Sequence, residues 1–461
     1  MIGEDYDEPA ERRFPDVTKL CQEHPLAYAG FRISHLRRHD RQISETGEVP
    51  FLTSVVFPFV LLGYLVLLRP IALVNTVCRQ TPVPDVGTDG HVFSMTSTHG
   101  YRTHTFTEIA DEFKTRGEEA VFLCSPVATT ERDTWEDRGF QTVSHRELHP
   151  YIGTLTTLRG LIRALSLTIH LSRLAAVDTG PRNIILYYNV ILLEFVKRES
   201  VRPLTESDPN VHTFSPMPYL IETSPADRLF VYEHGIQPPT GGLIMAAPFF
   251  TPLTYFLWGD PCRPHFEAAV HSDSQLSVVG SPWYEYLSET RTEHEPQHDV
   301  LLVSETHRLV DEEVNAAFRA MVRDVIDTCE SHGYSLVVKL HPLENADWYE
   351  QHGWDEYVTE YDDIDEALLD VHVSIVDESS AFVESAVLET PAIVSDLKRF
   401  GLDGLAPVDY VTFTDGPEVG DAIVSVMNGE TFVSKNSREL VRIENTICRI
   451  VERVDRRRTT N

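Results

Sequence analysis

Lysine is scarce in this sequence, and acidic residues far outnumber basic ones. Six lysines occur among 39 basic residues, against 71 aspartates and glutamates, so the formal net charge is −32. A surface this acidic repels phosphate backbones, and we therefore expect no nucleic acid among the partners. Many hydrated carboxylates with little lysine are typical of the cytoplasm of salt-loving archaea, where high salt screens the repulsion between them.

Cysteine is also sparse. None of the six forms a C-x-x-C pair, so neither a zinc ribbon nor a dense disulfide framework is predicted. Scattered cysteines in a long chain favour a reducing compartment, and we expect a cytoplasmic protein. Hydrophobic residues, in contrast, make up 42% of the sequence, which is enough to bury a core. The length of 461 residues predicts two or three domains.

One hydrophobic run, residues 51–68, has no charged position. Its length is near the lower limit of a spanning helix, about 17–25 residues. Pro58 and Pro70 would bend it, and four preceding arginines, at positions 32, 37, 38 and 41, suit anionic headgroups. We predict that residues 51–77 form a re-entrant or in-plane helix at the inner face of the cell membrane. A true span and a buried core helix are the alternatives.

Apolar strands and helices alternate along the rest of the chain. This alternation predicts an α/β protein with two Rossmann-like, doubly wound domains, parallel sheets and a central cleft. In the first domain we predict, among other elements, a helix at 154–176 and strands at 184–188 and 211–215. The predicted organisation is an N-terminal extension at 1–80, a first domain at 90–287, a second domain at 299–430, and a C-terminal helix and polar tail at 433–461.

Ligands of doubly wound folds bind at the carboxyl ends of strands, so unusual residues there are the candidates. In the second domain, Lys339-Leu340-His341-Pro342 ends one strand, and Asp377-Glu378-Ser379-Ser380 ends another just before a helix. A histidine and two serines at a helix N-terminus can hold phosphate oxygens without a glycine-rich loop. Glu384, one turn into that helix, could accept hydrogen bonds from both hydroxyls of a ribose. The alternatives are a histidine bonded to backbone, plain N-capping, and an exposed helix glutamate.

The first domain offers Glu233-His234-Gly235 after a strand. A histidine with a pKa near neutrality can take a proton from an attacking hydroxyl, and Glu233 would raise its basicity if the two side chains meet. His99-Gly100-Tyr101-Arg102 follows another strand and could bind an acceptor or a phosphate. A polar loop and a plain strand-to-helix turn are the alternatives.

Asp363 and Asp365 have the D-x-D spacing of metal-dependent sugar transferases. They lie at a predicted helix start, where carboxylates interact favourably with the helix dipole. We therefore predict no metal site.

Together these motifs resemble one group of enzymes: the GT-B transferases that build surface polymers. The group comprises CDP-glycerol glycerophosphotransferases (teichoic acid polymerases), bacterial polysialyltransferases and related capsule enzymes. The motifs that carry the resemblance are His-Gly at 234–235, Gly-Ser-Pro at 280–282, Lys-x-His-Pro at 339–342, D-x-Ser-Ser at 377–380, and Glu384 seven residues before Pro391. Two positions depart from the group. Glu233 replaces an aromatic residue or glutamine, and Glu389, two residues before Pro391, replaces a frequent glycine.

The resemblance implies metal-independent transfer of a sugar or polyol phosphate from a nucleotide-activated donor, with no cofactor besides that substrate. It implies a lipid-linked or oligosaccharide acceptor at the cytoplasmic membrane surface. A sugar-nucleotide 2-epimerase, which shares the architecture, and a non-catalytic membrane-associated scaffold are the alternatives.

The resemblance also implies roles for individual residues. His234 is the base, and Glu384 holds the ribose. The donor phosphates are held by His341, Ser379 and Ser380, with Lys339 beside them. The residues expected near the acceptor or in the cleft are His99, Arg102, Glu233, Gly235 and Ser281.

Overall fold

A computed structural model describes part of the chain: residues 90–94, 100–124, 129–144, 202–206, 230–233, 253–269, 272–290, 295–304, 312–341, 344–361, 363–377, 379–395, 397, 411–414, 416–429, 441 and 443–456. The predicted extension at 1–80, with its helix at 51–77, lies outside these residues. So do the helix predicted at 154–176 and the strands predicted at 184–188 and 211–215. Within the described ranges, no helix is both long enough and apolar enough to cross a membrane.

The first sheet contains seven of the described strands, and all neighbouring strands are parallel. They are β1 (His91–Ser94), β2 (Ala120–Cys124), β3 (Gln141–Ser144), β4 (Arg202–Glu206), β5 (Phe230–Tyr232), β6 (Thr254–Leu257) and β7 (Gln275–Val278). The described helices of this domain are α1 (Gly100–Thr115), α2 (Thr129–Asp137), α3 (Arg263–Ala269) and α4 (Pro282–Thr290), with a 3₁₀ turn at Asp260–Cys262. The strand order is β3-β2-β1-β4-β5-β6-β7, so the chain order reverses between β1 and β4.

The second sheet contains five described strands, again all parallel. They are β8 (His298–Val303), β9 (Leu336–Lys339), β10 (Val371–Asp377), β11 (Ala392–Ser395) and β12 (Val411–Thr414). The described helices are α5 (Glu312–His332), α6 (Asp347–His352), α7 (Ile364–Leu369), α8 (Ala381–Val387), α9 (Gly420–Met427) and α10 (Thr446–Arg456), with a 3₁₀ turn at Asp355–Tyr357. The order β12-β11-β10-β8-β9 reverses between β8 and β10.

Strands β6 and β11 show how completely a strand within these sheets can be covered. Every residue of β6 and of β11 is buried, including Thr254 and Ser395 at their ends. Parallel sheets need such coverage, since each crossover places a helix on one face. The prediction of two Rossmann-like α/β domains with parallel sheets is confirmed.

Strand β4 is an element that the sequence analysis did not predict. It lies between β1 and β5, and Pro203 stands in register with Val92. Proline cannot donate a hydrogen bond to a neighbouring strand, so a proline argues against a central strand in any reasoning from pattern. The neighbouring strands on both sides decide the structure here.

The C-terminal helix begins later than predicted. The prediction of one helix from 433 is wrong for residues 443–445, because α10 starts at Thr446. Asn445 has a φ of 54°, which is not helical. The amide groups of Asn445 and Thr446 donate to the Glu285 carboxylate of α4 at 2.6 and 3.0 Å. This contact sets the helix start and joins α10 to the first domain.

Helix α8 ends in a turn that normally uses glycine. Thr390 donates its amide to the Ser385 carbonyl at 2.8 Å, and Glu389 donates to the Ala386 carbonyl at 3.3 Å, the pattern of a Schellman motif. Glu389 has a φ of 57°, in the left-handed region that disfavours side chains with a Cβ. The backbone at position 389 therefore favours glycine, but this chain has glutamate there.

Changing Glu389→Gly should stabilise the protein by about 1 kcal/mol, because glycine adopts a positive φ without the Cβ clash. Chemical denaturation of the parent and the variant measures the difference. Glu389→Ala is the matched control, since it also removes the carboxylate but keeps the Cβ. If both variants were equally stable, the strain assigned to this turn would be absent.

Candidate functional site

Two of the predicted donor-site segments leave the second sheet at the same edge. Val303 of β8 is in register with Lys339 of β9 on one side and with Val376 of β10 on the other. Because the strands are parallel, His341 after β9 and Ser379 after β10 follow at the same edge. One strand separates them, which is a backbone distance of about 10 Å. The reversal of chain order between β8 and β10 makes this edge a switch point, where ligands of such sheets bind.

The two serines differ in their contacts. Ser379 is half-buried, and its Oγ accepts the amide hydrogen of Ala381 at 3.4 Å. Ser380 is exposed and makes no side-chain capping bond to α8. Ser379 thus binds a backbone amide at the start of α8, whereas Ser380, which occupies the N-cap position, does not cap the helix with its side chain.

His341 and Lys339 are both half-buried. The amide of His341 donates to Glu344 Oε2 at 3.3 Å, and its carbonyl accepts the Glu344 amide hydrogen at 2.8 Å, which holds the turn after β9. Lys339 Nζ donates to the carbonyl oxygen of Tyr361 at 3.1 Å. The ammonium thus finds the partner that a lysine in an apolar strand requires. A role of Lys339 in phosphate binding stays a prediction.

Glu384 is buried, so the alternative of an exposed helix glutamate is wrong. The Tyr284 hydroxyl donates a hydrogen bond to its carboxyl group. Its Oε2 atom has no hydrogen-bond partner among the described residues. Burial, with a smaller contribution from the charge of Asp365, raises the pKa of Glu384 to about 8, against the opposing effects of a hydrogen bond from its own backbone and of the bond from Tyr284.

The two aspartates of the D-x-D pair have different surroundings. Asp363 is exposed at the start of α7 and makes no capping bond with its side chain. Asp365 is half-buried, and burial raises its pKa, as does the charge of Asp363, whereas Lys339 lowers it. Across the part of the chain that the structure describes, no group of three or more histidine, cysteine, aspartate or glutamate side chains could hold a metal ion.

In the first domain, Glu233 lies at the carboxyl end of β5 and is 1% exposed. Its Oε2 accepts the backbone amide hydrogen of Trp258, at the end of β6, at 2.6 Å. The residues that follow it, His234 and Gly235, lie outside the described residues.

Other predicted cleft residues are placed only in part. His99 lies outside the described residues, and Arg102 is in the first turn of α1, directly after it in the chain. Ser281 is buried, and its Oγ accepts the amide hydrogen of Tyr284 at 3.5 Å. The hydroxyl of Ser281 thus serves as the N-cap of α4.

Two aromatic residues that were not predicted as site residues, Trp258 and Tyr284, lie between the predicted sites. Trp258, whose amide binds Glu233, meets Tyr284 edge to face with 5.1 Å between ring centroids. Tyr284 in turn binds Glu384. The four residues therefore form a chain of contacts from the end of β5 in the first domain to α8 in the second. Nothing in the sequence distinguishes these two aromatic residues from ordinary core residues.

The comparisons with known proteins bear on the fold. No protein-family model matches the sequence, and a search of curated proteins finds no match. A solved structure of UDP-GlcNAc 2-epimerase from Methanocaldococcus jannaschii, in complex with UDP-GlcNAc and UDP, is similar with a TM-score of 0.50 and 9% identity, over 80% of this chain and 99% of that one. This similarity supports a two-domain Rossmann-like fold for the chain.

Two glycosyltransferase structures are similar at a lower level. A glycosyltransferase from Rickettsia africae has a TM-score of 0.45 and 8% identity, over 81% of this chain and 99% of its own. MurG from Acinetobacter baumannii has a TM-score of 0.41 and 11% identity, over 80% of this chain and 99% of its own.

Proposed function

We propose that this protein is a GT-B-type transferase that moves a sugar or polyol phosphate from a nucleotide-activated donor to a surface-polysaccharide acceptor. The observation that carries the proposal is Glu384. It is a buried carboxyl group with one oxygen unpartnered among the described residues, one turn behind Ser379 and Ser380 at the switch point of the second sheet. Burying an unpaired oxygen costs free energy, which a ligand that donates a hydrogen bond would recover.

The second domain would hold the donor. Ser379, Ser380 and His341 would bind its phosphates, and Glu384 would accept hydrogen bonds from the ribose hydroxyls. Hydrogen-bond donors that point at the phosphate oxygens, where negative charge develops, stabilise the departing nucleotide. A hydroxyl that caps no helix, as at Ser380, is available for this task.

The first domain would supply the base. His234 would take the proton of the acceptor hydroxyl while the hydroxyl oxygen attacks the anomeric carbon or the phosphorus of the donor. The bond from that centre to the nucleotide oxygen breaks, and the nucleoside phosphate leaves with the bonding electron pair. Glu233, the residue before His234, is buried at the carboxyl end of β5.

A sugar-nucleotide 2-epimerase is the second candidate. The likeness in fold to the M. jannaschii enzyme, which is named as a UDP-GlcNAc 2-epimerase, favours it. A non-catalytic membrane-associated scaffold is the third.

One experiment separates these candidates. The full chain is incubated with UDP-, CDP- and CMP-linked donors, and free nucleotide and sugar configuration are followed with and without oligosaccharide acceptors. A transferase should release nucleotide faster when an acceptor is present. An epimerase should change the configuration of the sugar at C2 without needing an acceptor. If no nucleotide were released and no sugar changed its configuration with any of the donors, the proposal of an enzyme would be wrong.

Residues 51–77 would tether the enzyme to the membrane that carries a lipid-linked acceptor. Deleting them should move the protein from the pellet to the supernatant when it is sedimented with vesicles containing anionic lipid. Changing the arginines at 32, 37, 38 and 41 to glutamine is the companion variant, which should weaken binding to anionic vesicles only. Continued sedimentation of the deletion variant with lipid would refute the anchor.

A further inference from the structure

Tyr284 belongs to the first domain but contacts the proposed donor site in the second. It lies on α4, which packs against α8 across the boundary between the domains. Its ring is 1% exposed and packs against Trp258, while its amide is held by Ser281. The first domain therefore fixes the ring, and the hydroxyl group reaches the Glu384 carboxyl of the second domain.

Two hydrogen bonds favour the charged form of Glu384, one from its own backbone and one from the Tyr284 hydroxyl of the first domain. Asp365 of α7 repels a charged Glu384, and Lys339 of β9 interacts with Asp365. The Tyr284 hydroxyl satisfies one carboxyl oxygen, whereas Oε2 lacks a partner among the residues described. The indole N–H of Trp258, which packs on the same tyrosine ring, lacks one as well within those residues. Two unpartnered polar atoms, a donor and an acceptor, therefore belong to side chains that contact Tyr284.

We propose that Tyr284 is a positioning residue for the donor site, which holds one oxygen of Glu384 from across the domain boundary and leaves the other for the vicinal hydroxyls of the donor ribose. This inference rests on the proposed function, because it takes a nucleotide as the ligand. It adds that donor affinity depends on the contact between α4 and α8, so the two domains must be in contact for full affinity.

The proposal predicts a pH dependence. A carboxylate accepts hydrogen bonds from two hydroxyls, so nucleotide affinity should rise as Glu384 loses its proton. Burial has the largest effect on the pKa of Glu384 and raises it, and its own backbone hydrogen bond lowers it. Of the side chains around it, Tyr284 on α4 lowers the pKa and Asp365 on α7 raises it, with Lys339 beside Asp365. Without the tyrosine hydroxyl the pKa of Glu384 rises, and the midpoint of the affinity profile should move to higher pH.

The test compares Tyr284→Phe with Tyr286→Phe, which removes a hydroxyl from an exposed tyrosine of the same helix. Binding of UDP, CDP and CMP is measured by calorimetry from about pH 6 to about pH 10, a range that brackets the titration. Tyr284→Phe should bind about tenfold more weakly near pH 8 and show the higher midpoint, and Tyr286→Phe should match the parent. Glu384→Gln should lose the pH dependence. The loss in Tyr284→Phe should shrink for dideoxynucleotides, which lack the ribose hydroxyls.

A second substitution guards against misfolding of Tyr284→Phe. Replacing Tyr284 by a singly fluorinated tyrosine keeps the ring and makes the hydroxyl a stronger donor while that hydroxyl keeps its proton, so affinity at the low-pH end of the series should be retained and the midpoint should move to lower pH. If the parent bound nucleotide and neither substitution moved affinity or midpoint, the role of Tyr284 would be wrong while the proposed function stood. If the parent bound none of the three nucleotides, the proposed function would fail and this inference with it.

Discussion

Changing Glu384→Gln should remove a fall in stability that the parent protein undergoes as pH rises. Burial raises the pKa of this carboxyl group in the folded state from its ordinary 4.5 to about 8. Between these two values the folded protein keeps the proton and the unfolded chain has lost it, so the free energy of unfolding decreases with increasing pH. The stability that comes from the neutral carboxyl group is fully present below the pKa of the unfolded state. It is lost as the pH rises to the pKa of the folded state, and the free energy of unfolding falls by about 3–5 kcal/mol over this range.

Chemical denaturation at a series of pH values measures this effect. The glutamine variant keeps the shape of the side chain and its bond from Tyr284 but cannot ionise, so its stability should decline less between about pH 5 and about pH 8. Glu366→Gln, on the exposed side of α7, is the matched control and should follow the parent. Parallel profiles for the parent and Glu384→Gln would mean that the buried carboxyl does not titrate as proposed.

Changing His234→Ala should reduce turnover by about 10²–10⁴-fold, the usual contribution of a general base, while donor binding remains. The expectation follows from the proposed division of labour, in which the first domain carries the base and the second carries the donor. Turnover is measured as acceptor-dependent release of nucleotide, and donor affinity by calorimetry on the same preparation.

The comparison variant is His341→Ala in the second domain. The main effect of this change should be a loss of donor affinity, because His341 follows β9 at the edge where the phosphates would bind. If donor affinity collapsed together with turnover in His234→Ala, the assignment of His234 as the base would be wrong.

The organisation of the second domain could be predicted in detail because the signals are local. Apolar runs such as those of β10 and β11 are buried on both faces, and burial on both faces is what a continuous hydrophobic strand indicates. Once the strands are parallel, the residues at their carboxyl ends must share an edge. The sequence was therefore sufficient to bring His341 and the serine pair to one side of the sheet.

Other features depend on partners far away in the chain. Strand β4 contains Pro203, and its place between β1 and β5 follows from pairing that no local pattern encodes. The start of α10 at Thr446 is set by Glu285, a residue 161 positions earlier. In both cases a contact distant in sequence outweighs the local preference.

The candidate site itself shows the same division. By itself, the sequence determined the fold class, the two series of strands and the residues at the strand ends, because these follow from the periodicity of apolar residues and from the geometry of parallel sheets. Only the tertiary structure decided that Glu384 is buried and that Tyr284 reaches it from the other domain. Burial and the pKa of a carboxyl group depend on whatever packs around it, and here the packing comes from a helix 100 residues away in the chain.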